Sequence, residues 1–333
     1  MPANGKKKIL LIIPIYERAS ELTSLLSSIN RLRLDNLELT VIVIDDGSPN
    51  PISSAVQIEL KNATLSWYRH EVPSGPGYCR NLGGQITESD YLWFLDSDTE
   101  VIKPNALVHM VEVLEADDQL AGVGGVMEEC GGVLKIQELK ILPNFNFLYR
   151  SFLPDAYGPT YVDGIGTCNL LIKRHAFQGA GGFMEQLKRD EDNDLCLTLG
   201  GMGYKFYQDA ETIVWHKCSQ AGRQNGTFAH FRDPKLYLDD LLQTRIILVA
   251  KHAPWRLSIL ALLDLLFAPM ILYRMKTGWY GSKRPIMAVP DKNRLTIVSF
   301  LLVKSIKYYM LGFNFFFRSL LGLRKAPDHI IMP

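Results

Sequence analysis

Residues 8–15, KILLIIPI, form an unbroken apolar run. A strand with one wet face alternates apolar and polar residues, whereas a strand covered on both faces need not. The run therefore predicts a buried strand with other layers packed on either side. The pattern recurs. Leu39–Ile44 is a second β-branched run and ends in Asp45-Asp46-Gly47-Ser48-Pro49, a turn signal. Tyr91–Leu95 is another, ending in Asp96-Ser97-Asp98, and residues 64–69 and 121–127 add two more. Between these runs the apolar period changes. Ala19, Leu22, Leu25, Leu26 and Ile29 follow helical spacing within residues 18–30. Residues 52–61 fit a helix, Gly75-Pro76-Gly77 opens one that runs to about residue 87, and Pro104 stands in the first turn of another over 104–116. Strands alternating with helices predict an α/β chain with a Rossmann-like, doubly wound and mostly parallel sheet.

Beyond residue 127 the pattern weakens. Residues 130–160 lack clear periodicity and contain Pro143, Pro154, Gly158 and Pro159, so they are expected to form a long irregular stretch of the kind used for lids and binding loops. Residues 161–173 fit a strand, Gly179–Phe183 a glycine-rich turn, 190–199 a helix, and 204–215 a strand followed by His216.

Composition matters most for the end of the chain. The 333 residues carry a formal charge of only +1, which argues against a dedicated nucleic-acid binder. That near-balance hides an asymmetry. Residues 236–333 hold 14 Lys/Arg against 5 Asp/Glu, whereas residues 1–235 hold 22 against 30. The basic part is rich in Leu, Ile, Phe, Tyr and Trp, with apolar stretches at 257–273 and 295–323. Asp264, Pro269, Lys304, Lys307 and Arg318 interrupt those stretches, so helices lying in the membrane interface are favoured over spanning ones. The expected organisation is a body over 1–235 and a membrane-associating helical region over 236–333, at the cytoplasmic face and in contact with anionic lipid. Lys6-Lys7-Lys8 before an apolar run resembles the start of a secretion signal, but Pro14 cuts the run short, and it is read as a strand. The five cysteines form no CxxC pair and suit reduced thiols.

Open α/β sheets bind ligands beyond the carboxyl ends of their strands, and both acidic pairs, Asp45/Asp46 and Asp96/Asp98, fall at such ends. Carboxylates clustered there repel one another unless a cation joins them. Asp96 and Asp98 at i and i+2 can turn toward one divalent ion, and oxygen donors suit Mn²⁺ or Mg²⁺. The plainer alternative is a pair of helix-capping turns. Glu191-Asp192-Asn193-Asp194 is a further acidic cluster at a predicted helix start. Asp192 is the candidate general base, against ordinary charge placement in a first helical turn. His216 could complete a mixed oxygen and nitrogen metal site, with His230 as a competitor.

Five strings now stand in order: IIPIYER at 12–18, VIVIDDGSPN at 41–50, GPGYCRNLGG at 75–84, DYLWFLDSDTEV at 90–101, and GGF at 181–183 with EDNDLCLTL at 191–199. Together they resemble the family 2 glycosyltransferases of the GT-A nucleotide-sugar fold, across about residues 8–216. The resemblance implies that Pro14, Tyr16 and Glu17 border the nucleotide, that Asp46 contacts the base, and that Asp45 stabilises its turn. It implies that Arg80 and Asn81 lie near the nucleotide pocket, and that Ser97 and Asp96 contact the nucleotide-diphospho-sugar. Asp98, with Asp96 and His216, would hold Mn²⁺ or Mg²⁺. Asp192 would deprotonate the acceptor hydroxyl, giving transfer with inversion. Glu17-Arg18 stands where relatives often have Asn-Glu, and Met184 interrupts a common GGFDE pattern. Gln220 and Arg223 precede Gln224 rather than Trp, unlike the QxxRW string of processive members. The expectation is a metal-dependent, inverting, non-processive transferase acting on a lipid-linked glycan, polysaccharide precursor or glycolipid. The alternatives are a polyprenyl-phosphate acceptor, a non-catalytic nucleotide-sugar binder, or a nucleotidyltransferase.

Overall fold

The computed structural model describes residues 5–141, 147–187, 189–219, 243–244 and 246–253, together with 306, 307 and 310. The chain divides into two units, residues 1–142 with 147–227, and residues 143–146 with 228–333.

In the first unit the elements follow in the order β1 (Lys7–Ile15), α1 (Ala19–Ile29), β2 (Leu37–Asp46), α2 (Ile52–Ala55), β3 (Thr64–His70), α3 (Pro76–Ile86), β4 (Tyr91–Leu95), β5 (Thr99–Val101), α4 (Ala106–Ala116) and β6 (Leu120–Gly124). They continue as β7 (Val126–Cys130), β8 (Val133–Ile141), β9 (Phe147–Phe152), β10 (Thr160–Val162), β11 (Asn169–Lys173), α5 (Arg174–Ala180), α6 (Glu191–Gly201), β12 (Lys205–Gln208) and β13 (Val214–His216).

One sheet has eight strands in the order β10-β12-β6-β11-β4-β1-β2-β3. Strands β3, β2, β1 and β4 are parallel neighbours, and so are β6 and β12. Strand β11 runs antiparallel to both β4 and β6, and β10 antiparallel to β12. The sheet is mostly parallel, as expected, with six strands in one direction, and it is mixed because β11 and β10 run the other way. The predicted strand over 161–173 is two separate strands, β10 and β11, and β11 reverses the direction at the centre of the sheet.

Period-2 geometry accounts for the unbroken apolar runs. In β1, Ile9, Leu11 and Ile13 join one buried cluster with Leu22, Leu25 and Leu26 of α1 and Leu107, Met110 and Leu114 of α4. Leu10 and Ile12 face the opposite cluster, with Cys79 of α3, Phe177 of α5, Phe183, and Leu195 and Leu199 of α6. Both faces are thus dry. Helix α3 lies close on the sheet because Gly83 carries no side chain there. A Cβ at that position would stand 2.6 Å from Cγ2 of Ile12.

The second sheet has five strands in the order β5-β13-β7-β8-β9. It replaces much of the irregular stretch expected over 130–160. Strands β7 and β8 pair antiparallel around Gly131-Gly132, both at positive φ, which is the backbone of a two-residue hairpin turn. The chain passes from β6 to β7, between the sheets, through Gly125, where φ is 122° and a Cβ would meet Gln208 at 2.5 Å. The predicted helix over 52–61 is only the single turn α2, which ends in extended backbone at Val56.

In the second unit, residues 243–244 and 246–252 are helical, with Ile246, Leu248, Val249 and Ala250 buried. Among the described residues no helix is long and apolar enough to cross a membrane. The apolar stretches at 257–273 and 295–323 lie almost wholly outside the described residues, and His230 and Gln220–Gln224 fall entirely outside them.

Candidate active site

The carboxyl ends of β1, β2 and β4 lie side by side, so three of the predicted clusters meet at one edge of the large sheet. At the end of β2 the two neighbouring acids do different work. Asp45 accepts the backbone N–H groups of Ser48 at 2.9 Å and Ile52 at 3.1 Å, and pairs with Arg69 at 2.8 Å. It holds its own turn. Asp46 instead accepts from the backbone N–H groups of Ser74 and Gly75, at 2.9 and 2.8 Å. It thereby fixes the entry to α3.

Pro14, near the end of β1, and Tyr16, just after it, are half-buried, and Glu17 is exposed at a φ of 55°. The backbone N–H of Glu17 donates to Ser48 Oγ at 3.0 Å, so what ties this loop to the β2 end is the main chain of Glu17. Arg18 reaches further in, and its Nη1 lies 3.1 Å from Asp98 Oδ1. Sequence reasoning noted Arg18 only as a departure from relatives and gave it no role.

Asp96, Ser97 and Asp98 occupy the step from β4 of the large sheet to β5 of the small one. Ser97 and Asp98 are buried. The small sheet brings His216 to them. Strand β13 pairs antiparallel with β5, setting His216 opposite Thr99. His216 Nε2 then lies 3.5 Å from Asp98 Oδ1. The segment after β13 closes over the same carboxylate, with the Ser219 N–H donating to Asp98 Oδ2 at 2.7 Å. One ligand atom from each of Asp96, Asp98 and His216 can be chosen so that all three lie within 4.8 Å of one another. Burial by itself would raise the Asp98 pKa, but the hydrogen bond and charge of His216, the Arg18 guanidinium and the Ser219 N–H overcome it and hold the carboxyl well below its usual range. Burial opposes the charged form of His216, but acceptors on Asp98, Cys168, Cys218 and Glu128 raise its pKa well above the ordinary imidazole value.

Helix α6 supplies the other side. Asp190 precedes it at a φ of 59°, and Leu195, Cys196 and Leu199 seat it in the core. Its first residue, Glu191, pairs with Arg80 Nη1 at 2.8 Å, while Nη2 of the same guanidinium holds Asp96 at 2.7 Å. Arg80 is 2% exposed. It is a buried link between the acidic strand end and the acidic helix start, and Phe183 lies under its guanidinium. Removing one partner of such a pair costs about 3–5 kcal/mol, because a charge is left buried and uncompensated.

Asp192, the next residue, is partly open to solvent. Its Oδ1 accepts the Asn193 N–H at 2.8 Å and its Oδ2 the Thr167 N–H at 3.4 Å. Desolvation first, and then the charges of Glu191 and Asp190, push its carboxyl up to about 7 against the pull of Arg80. Asn81 clamps the 181–183 turn. Its side-chain N–H donates to the Phe183 carbonyl at 2.9 Å, and its Oδ1 accepts the Phe183 N–H at 2.9 Å.

The model of the family described as "Glycosyl transferase family 2" matches residues 10–178. The chain belongs to this family. The matched segment contains the β1 loop, Asp45/Asp46, Arg80 and Asp96–Asp98, and it stops before α6 and β13. Similar proteins include the pre-mycofactocin glycosyltransferase of Mycobacterium tuberculosis, 26% identical over 63% of this chain and 43% of its own length. This chain therefore spans less than half of that relative. The amylovoran biosynthesis glycosyltransferase AmsB of Erwinia amylovora is 26% identical over 65% of this chain and 71% of its own length. A solved mannosyltransferase from Pyrobaculum calidifontis, in complex with GDP-Man and Mn²⁺, superposes with a TM-score of 0.53 at 14% identity, covering 96% of this chain and 89% of that one. At that identity the likeness establishes the fold, which is GT-A.

Within this family's fold the chain brings together Asp96, Asp98 and His216, with Arg80 joining Asp96 to the α6 start that bears Asp192. Asp46 stands at the neighbouring strand end, and Asn81 serves the turn beneath. Sequence reasoning missed Glu191 as the partner of Arg80, the Ser219 N–H, and the Thr167 N–H. Glu191 was readable in principle. A buried arginine needs a carboxylate partner, and Glu191 stands in the acidic cluster next to the proposed base.

Proposed function

We propose that the chain is a metal-dependent, inverting, non-processive glycosyltransferase. It moves one sugar from a nucleotide-diphospho-sugar to a membrane-associated acceptor, such as a lipid-linked glycan, a polysaccharide precursor or a glycolipid. The observation that carries this reading is the convergence of Asp96, Asp98 and His216 on one point, with Asp192 on the separate helix start tied to them through Arg80.

The donor set suits Mn²⁺ or Mg²⁺. Two carboxylates and an imidazole offer hard oxygen donors with one nitrogen, and Asp98 is already desolvated and held ionised. When bound there, the ion neutralises charge on the departing nucleoside diphosphate. The chain's own residues do the rest. Asp46 and the β1 loop, with Pro14, Tyr16 and Glu17, border the nucleotide. Ser97 and Asp96 line the strand end beside the diphosphate. Arg80 fixes the distance between that strand end and α6. Asp192 takes the proton from the acceptor hydroxyl as the oxygen attacks the anomeric carbon from the face opposite the leaving group, which inverts the configuration. A carboxyl pushed up to about 7 is well matched to that task at neutral pH.

The membrane part rests on the basic, apolar composition of residues 236–333, and the polysaccharide role named for AmsB accords with it. Replacing the Lys and Arg of this region by Gln in the full chain should weaken binding to anionic vesicles, most strongly at low salt. Unchanged vesicle binding would remove the region as the anchor.

The decisive variant is Asp192→Asn. Transfer should fall about 10²–10⁴-fold while donor binding by thermal shift stays intact. Full activity in this variant would sink the assignment of the base. A largely retained rate with a polyprenyl-phosphate acceptor would instead favour a phosphate nucleophile, which needs little help from a base.

A further inference from the structure

His216 has two ring nitrogens, and the structure gives each its own set of partners. Nε2 faces Asp98. Nδ1 faces away from it, 3.1 Å from Glu128 Oε1 and 3.7 Å from Cys218 Sγ. Register explains the arrangement. Strands β7 and β13 are parallel neighbours with Glu128 directly opposite His216, and Cys218 follows two residues on. The ligand atoms of Glu128, His216 and Cys218 all lie within 4.8 Å of one another. In a tetrahedral zinc shell, ordinary bond lengths put a nitrogen about 3.4 Å from a carboxylate oxygen and about 3.6 Å from a thiolate sulfur. The two distances measured from Nδ1 are close to those. Both side chains of the His216–Glu128 pair keep some exposure, 13% and 22%, so the cluster is reachable from solvent.

We propose that Glu128, His216 and Cys218 form a second, softer cation site that takes Zn²⁺ or a similar thiolate-seeking ion and withdraws His216 from the Asp96/Asp98 cluster. A carboxylate, an imidazole and a thiolate with one open position make a zinc-type donor set, unlike the oxygen-dominated set on the other side of the ring. Binding releases the Cys218 Sγ proton and the His216 Nδ1 proton to solvent, and the site becomes formally neutral, with two ligand negative charges against the ion's two positive ones. A neutral imidazole has one acceptor nitrogen, so His216 cannot serve both ions at once. Zn²⁺ at Nδ1 therefore lowers affinity for Mn²⁺ at Nε2. This competition rests on the proposed reading of His216 as an active-site ligand, whereas the binding of the soft ion does not.

Co²⁺ is the probe, added to the full chain. The expected result is a thiolate-to-cobalt charge-transfer band that is lost in Cys218→Ser and kept in Cys168→Ser, the other thiol beside His216. Glu128→Gln should keep the band but require at least about tenfold more Co²⁺. No thiolate band at saturating Co²⁺, or a band that survives Cys218→Ser, overturns the site. The second arm follows free Mn²⁺ by electron paramagnetic resonance while Zn²⁺ is added. Zn²⁺ should release Mn²⁺ from the wild-type chain, and Cys218→Ser should need at least about tenfold more Zn²⁺ for the same release. Equal release from both proteins overturns the competition. If the wild-type chain binds no Mn²⁺ at all, the active-site reading fails, and the cobalt band alone decides the soft site.

Discussion

In the eight-stranded sheet every residue of β4 is buried, and so is the Ile9–Ile13 run of β1. In the five-stranded sheet β8 exposes its first two residues and buries Ile136, Glu138 and Leu139. The large sheet is sandwiched between two apolar clusters. The small sheet has a modest one, in which Ile136, Tyr157 and Ile213 are supported by Met127 and Phe152. The candidate site residues are nevertheless divided between them. The large sheet ends in Asp46 and Asp96, and the small sheet carries His216 to Asp98 and Glu128. Stability and ligand geometry therefore have different sources, and variants should separate them.

The largest effect is expected on the large-sheet side, where Arg80 ties the end of β4 to α6. Arg80→Met leaves Glu191 and Asp96 without their buried cation. It should cost about 3–5 kcal/mol in denaturant unfolding and abolish transfer as well. A variant of normal stability would mean that α6 and the β4 end are held by packing alone.

Next comes the contrast of cores. Leu11→Ala in β1 should cost about 2–5 kcal/mol, because the site is enclosed on all sides and cannot collapse. Ile136→Ala in β8 should fall at the low end of that range, since its neighbours are partly exposed and can relax. Yet it should weaken Mn²⁺ binding more than Leu11→Ala does. Equal effects on Mn²⁺ affinity would erase the distinction between the sheets.

A smaller effect is set by pH. Asp192 must be ionised to act as a base, so kcat/KM should rise with pH and level off above about 7. The same upward shift, from 3.8 in an ordinary setting, means that the folded chain binds more protons than the unfolded one between about 4 and about 7. Its stability therefore falls as pH rises through that window. Asp192→Asn should flatten the decline. A decline of unchanged steepness in the variant would assign it to other carboxyls.

The difference between the sheets also decided what could be read in advance. Continuous runs such as Ile9–Ile13 and Tyr91–Leu95, short, rich in β-branched or aromatic residues and bounded by turn signals, read as doubly covered strands, and the acids after them mark the strand ends. These signals are local. Strands β7 to β9 lacked them. Burial of Glu138 beside Leu139 breaks the alternation, and the nearby prolines resemble loop markers. One cue was present and unused. Gly131-Gly132 between Val126–Cys130 and Val133–Ile141 is a hairpin signal. The meeting of His216 with Asp98 was foreseen only through resemblance to a family. Physically it depends on β13 pairing with β5, across more than a hundred residues, which no local pattern reports. Glu191 escaped for a related reason. Its role is fixed by Arg80, which arrives from α3.

The central claim is that a site assembled from both sheets holds the divalent ion. The most direct measurement is Mn²⁺ affinity of the full chain, followed by electron paramagnetic resonance, for the wild type, Asp98→Asn and His216→Ala. Tm is recorded alongside. The account predicts that Asp98→Asn abolishes binding and that His216→Ala weakens it by at least about tenfold, with a lowered Tm in His216→Ala from the lost pairing with Asp98 but a folded chain at the assay temperature. Mn²⁺ affinity unchanged in His216→Ala would contradict it, and would leave the ion to the large sheet alone.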